Sequence, residues 1–98
     1  MQGNLATTYG ELGQLEKALS MERDVYSGRL KLLGEEHPDT LLAASNYASS
    51  LGQQRRFEEC KALLRKVIPV ARRVLGEDHK LTLDMMWAYV ATRRSTTE

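Results

Sequence analysis

A fixed period of 42 residues constrains this chain more than any other feature. Displacing the sequence by 42 positions lays Leu33-Gly34-Glu35-Glu36-His37 over Leu75-Gly76-Glu77-Asp78-His79, and Thr40-Leu41 over Thr82-Leu83. The same shift pairs Asn4 with Asn46, Ala6 with Ala48, Gly10 with Gly52, Glu16 with Glu58, Arg23 with Arg65, Val25 with Val67 and Tyr47 with Tyr89. Without a gap, 13 of the 56 overlapping positions are identical. A unit that recurs in this way cannot bury its apolar face alone; it does so by stacking on its neighbour.

Inside each unit the apolar spacing is helical. Phe57, Cys60, Leu63, Leu64, Val67, Ala71, Val74 and Leu75 recur every three or four residues, which predicts a helix of about five turns. Leu15, Ala18, Met21, Val25, Leu32 and Leu33 trace the same stripe one unit earlier. A shorter helix is expected from about Pro38 to Leu51, with Leu41, Ala44, Tyr47, Ala48 and Leu51 on one side. Gly34 and Gly76 suit the ends of the long helices, where a left-handed residue closes the last turn. Pro38 and Asp39 suit a first turn. Gly52 to Arg56 reads as the turn between the two helices of a unit, and Pro69 is expected to bend the second long helix. No segment alternates with period two. The expected architecture is all-α, with about five helices in the order short, long, short, long, short. The units fall at about 1–36 and 37–78, with a half unit at 79–94, in one domain; residues 95–98 are expected to be a disordered tail.

Composition removes whole classes of function. Fourteen basic and 13 acidic side chains leave a formal charge of +1, so no general attraction to nucleic acid or to an anionic membrane is expected. No run approaches the roughly 20 apolar residues of a transmembrane helix, and residues 1–9 carry no signal-peptide pattern. With Cys60 as the single cysteine, no intrachain disulfide can form, and a cytoplasmic location is expected. His37 and His79 hold the same loop position in successive units. One repeat apart they suit helix starts better than a shared metal site, so neither metal nor cofactor is expected. The basic run Arg55, Arg56, Lys61, Arg65, Lys66, Arg72 and Arg73 reads as a solvated outer face interleaved with Glu58 and Glu59. No phosphate loop or nucleophile–base set is visible, and the chain is not expected to be an enzyme.

Asn46-Tyr47-Ala48 with Leu51-Gly52, followed by Phe57-Glu58-Glu59-Cys60, resembles the first helix, turn and second-helix start of the tetratricopeptide repeat. Asn4-Leu5-Ala6, Tyr9 and Leu15-Glu16-Lys17-Ala18 are the other copy. The 42-residue period and the Leu33–Thr40 linker are similar to the kinesin-light-chain type of that repeat. The likeness covers roughly residues 3 to 92. Departures are Glu22 at a position that is usually large and apolar, Lys80 in place of the linker proline, and Cys60 in place of alanine.

The resemblance implies a right-handed α-solenoid of antiparallel helical hairpins, whose first helices line a concave face. On that face it would place Asn4, Thr7 and Glu11, then Leu42, Ser45, Asn46, Ser49 and Gln53, then Asp84, Trp87, Ala88 and Ala91. It implies a scaffold that holds a peptide or protein segment, with Asn4 and Asn46 bonding main-chain amides and Trp87 as an anchor; a core position is the plainer alternative for Trp87. With Glu11 and Asp84 there and little basic except Arg94, capture of a carboxylate terminus is not expected. A second reading, of a different class, is a structural segment that self-associates as a homo-oligomer through Met86, Tyr89 and Val90 on its last helix.

Overall fold

The computed structural model describes the backbone of residues 4–96 and the side chains of residues 13–94. Among the described residues four helices follow one another: α1 (Asn4–Leu33), α2 (Pro38–Gln53), α3 (Phe57–Val74) and α4 (Lys80–Thr96). There are no strands among the described residues.

Local chemistry sets the boundaries. Gly34 and Gly76 take φ of 91° and 100°, a region only glycine enters without steric cost, and their amides close the last turns onto the carbonyls of Leu30 and Arg72. The next helix then starts on a histidine. His37 is extended, and its Nδ1 accepts the Asp39 amide at 3.0 Å, while Pro38 occupies the first turn, where a missing N–H costs nothing. His79 repeats the device, accepting the Leu81 amide at 3.0 Å. Between α2 and α3 the chain reverses through Arg55, held at φ 61°. Glu58 and Glu59 in the first turn of α3, and Arg72 and Arg73 in its last, match the helix dipole. The helix runs unbroken through Pro69.

α2 is the centre of the packing, touching α1, α3 and α4. Leu41, Ala44, Ala48 and Leu51 from α2 meet Cys60, Leu64, Val67, Val70 and Ala71 from α3, Leu19 and Tyr26 from α1, and Met85 from α4 in one buried cluster. Small residues on α2 let the helix axes approach closely. Polar bonds recur at the same period. Thr40 Oγ1 donates to the Arg29 carbonyl at 3.3 Å, and Thr82 Oγ1 donates to the Ala71 carbonyl at 3.4 Å, each tying a first helix to the long helix before it. Arg73 of α3 reaches back to Glu36 in the preceding linker at 2.6 Å.

Among the described residues the helices number four, where the sequence suggested five. The expected short first helix and the long helix after it are one 30-residue helix, α1, with no break at Gly10 or Gly13. Residues 4–11 match only Asn46–Gln53 of α2, about two turns of helix. So short a segment buries little by folding back, whereas continuing the helix gains one local hydrogen bond per residue. At the other end α4 takes in Ser95 and Thr96, which the sequence reading assigned to a tail.

Candidate functional site

Two hollows flank α2 and share a wall. One, of about 160 Å³, lies between α1 and α2 and is lined by Val25, Arg29, Asp39, Leu42, Ala43 and Asn46. The other, of about 410 Å³, lies between α2 and the start of α4, against Pro38, Asp39, Leu42, Leu75, His79, Lys80, Leu81 and Asp84. Leu42 and Asp39 line both, so the hollows form a trough that crosses α2 at Leu42. Leu42 is 50% exposed although it stands one helical step from the buried Leu41.

The trough's charge is nearly balanced. Arg29 from α1 faces Asp39 at 3.8 Å, an exposed pair worth little in stability but enough to neutralise the carboxylate locally. Lys80 lies in the same hollow as Asp84. Arg29 and Lys80 were missed in the sequence, which suggested little basic character here; Arg29 enters from the later part of α1, which the sequence assigned to a long second helix behind the expected groove. Arg94 lines a different hollow.

The structure divides the sequence-derived candidates. Asn46 and Asp84 line the trough, one in each hollow. Ser45 is half-buried and Ser49 exposed on α2, but neither lines it. Gln53 lines a separate hollow with Leu15, Glu16, Gln54 and Arg55. The side chains of Asn4, Thr7 and Glu11 lie outside the described residues.

Trp87 is 72% exposed and so is no core residue. It shares an apolar hollow on α4 with Leu83, Met86, Val90 and Arg94, away from the trough. Met86 and Val90, suggested as a self-association stripe, are therefore grouped with Trp87. Tyr89 is half-buried and packs against the core instead.

Other chemistry-bearing groups serve the fold. Both histidines cap helices through Nδ1, and His79 lines the α2–α4 hollow as well. The Cys60 thiol is buried, donating to the Ala48 carbonyl at 3.3 Å and touching Thr92 Oγ1 at 3.6 Å. Burial pushes its pKa above the ordinary value, against a smaller opposing effect of Thr92. Glu22, the carboxylate at a normally apolar position, accepts a hydrogen bond from the Ser50 hydroxyl. Of the basic run along α3 and the turn before it, Arg56, Lys61, Arg72 and Arg73 pair with Glu59, Glu58, Glu77 and Glu36. Among the described residues no helix is long and apolar enough to cross a membrane.

No curated protein and no solved structure matches the chain. The family described as Tetratricopeptide repeat matches twice, over residues 1–39 and 40–79. Those two spans cover most of the sequence and follow the period that places α2 between α1 and α3, and the chain belongs to the tetratricopeptide repeat family, in its kinesin-light-chain-like type.

Proposed function

We propose that this chain is a binding scaffold that holds an extended segment of a partner protein along the trough over α2. Tetratricopeptide repeats are in general protein-interaction modules, and this reading gives that role a place. The observation that carries it is Leu42, an aliphatic side chain left half open on the most central helix, where two hollows meet. A peptide's aliphatic side chain seated on Leu42 removes apolar surface from water on both partners, at roughly 25 cal/mol per Å². Asn46, at the edge of the α1-side hollow, offers a donor and an acceptor to a main-chain amide. With Asp39 facing Arg29 and Asp84 beside Lys80, the trough favours an apolar-centred segment over a strongly charged one.

The test is selection of a random peptide library on the wild-type chain, followed by titration of the recovered peptides against variants. Peptides sharing an aliphatic position are expected, with Leu42→Asp weakening them by more than about tenfold and Asn46→Ala by about fivefold. Trp87→Ala should leave their affinity within about twofold, since Trp87 lies outside the trough. Peptides that bind Leu42→Asp as well as wild type would place the binding surface elsewhere.

A further inference from the structure

Two apolar stripes in this molecule stand open, and the 42-residue register makes them halves of one interface. On α4 the stripe is Leu83, Met86, Trp87 and Val90, spaced as one helical face, with Leu83 and Val90 each 42% exposed and Met86 half-buried between them. Its equivalents on α2 are Leu41, Ala44, Ser45 and Ala48, which are buried apart from the half-buried Ser45. On α1 the open stripe is Met21, Val25 and Leu32, with Met21 59% and Val25 45% exposed. Its equivalents on α3 are Leu63, Val67 and Val74; Val67 is buried in the core cluster and Leu63 packs against it, while Val74 at the helix end stays 37% exposed, as Leu32 is exposed.

These differences have one cause. α2 and α3 form a complete hairpin, which covers Leu41, Ala44 and Ala48 on α2 and Val67 on α3. Among the described residues no long helix lies on the α4 stripe as α3 lies on α2. Because α1 is one continuous helix, no first helix among the described residues folds back onto its stripe either. Among the described residues, α4 thus carries no second helix on its stripe and α1 carries no first helix on its own.

We propose that the α4 stripe of one copy receives the α1 stripe of another, completing between chains the hairpin that α2 and α3 make within one. The contact continues an interface the molecule already has, and the order of helices then runs α2, α3, α4, α1 of the next copy, α2 of the next copy, at an unbroken period. Antiparallel pairing in that register brings exposed Arg94, at the end of the α4 stripe, to the end of α1 that carries Glu16. Such a contact is heterologous: each copy uses two different surfaces, so assembly does not close at two and grows with concentration.

Exposed positions permit a clean test, because charge substitutions there change folding stability by only about 0.5 kcal/mol. The wild type, Trp87→Glu and Met21→Glu are each measured by analytical ultracentrifugation between about 10 µM and about 500 µM, with helicity checked by circular dichroism. Wild-type mass should rise steadily with concentration, and each single variant, having lost one of its two surfaces, should stay monomeric. Mixed one to one, the two variants should form a heterodimer and nothing larger, since Trp87→Glu keeps its α1 stripe and Met21→Glu keeps its α4 stripe. A wild type monomeric throughout overturns the proposal. So does a Met21→Glu variant that associates as wild type does, which is the outcome of α4 pairing with α4, and so does a mixture that stays monomeric.

Discussion

His37 and His79 do the work that serine or aspartate commonly does at a helix start. Each Nδ1 takes an amide two residues on, satisfying one of the donors a helix leaves open at its beginning. Replacing His37 by alanine should lower stability by about 1 kcal/mol, whereas His37→Asn, which keeps an acceptor at that reach, should lose much less; thermal unfolding of the pair measures the difference. Cys60 and Tyr26 make a pH prediction. Burial raises the pKa of both groups, with Glu35 and Tyr47 adding smaller effects in the same direction at Tyr26. An acid whose pKa is raised in the fold holds its proton more tightly there than in the unfolded chain. Its contribution is whole below the unfolded values, about 9.0 and 10.0, and is lost as pH climbs through the folded ones. Denaturant midpoints should fall from about pH 9 upward, and less steeply in a Cys60→Ala, Tyr26→Phe double variant. The identity of Thr40 with Thr82 was plain in the sequence, but its purpose was not. Only the packed helices show that each hydroxyl reaches the carbonyl 11 residues before it. Glu22 was legible as a departure from the pattern, yet its partner Ser50 lies 28 residues away, beyond any local rule.

At the scale of elements, α2, α3 and the linkers were readable because periodicity, glycine and proline agree there. The start of α2 at Pro38 and the turn before Phe57 fall where punctuation puts them. α1 was misread for a physical reason. The expected turn near Gly10–Gln14 was inferred by analogy with Gly52–Arg56, but a turn is held by what packs on either side of it, and periodicity carries no information on that balance. The straight helix is testable at Gly13, which is exposed, has nothing within 4 Å of an added Cβ and is not at positive φ. Gly13→Ala should stabilise α1 by roughly 1 kcal/mol, whereas a left-handed turn residue at that point would make alanine destabilising. Pro69 gives the converse case. It is exposed inside α3, so Pro69→Ala restores the amide bond to the Arg65 carbonyl without losing packing, and should raise stability by about 1–3 kcal/mol. An unchanged or lower melting temperature would show that the proline is compensated within the fold.

Across the whole molecule one register recurs: histidine caps, threonine bonds and glycine stops repeat at 42, and so does the apolar spacing, though not its burial. That much was legible, since repeats announce themselves in sequence. The trough was partly legible. Leu42, Asn46 and Asp84 fall on the face expected from the repeat, but Val25 and Arg29 join it from α1, and Trp87 turns to a neighbouring face. The helical period fixes a side chain's angle on its own helix and leaves open which neighbours cover it. The proposed trough over Leu42, and the proposed contact between copies, both require that α2 sit between α1 on one side and α3 and α4 on the other. Nuclear Overhauser contacts in solution test that arrangement most directly. The account predicts cross-peaks between the Tyr26 and Tyr47 rings, whose centroids are 6.1 Å apart, and between Thr92 and Cys60. Cross-peaks confined to residues within single helices would contradict it.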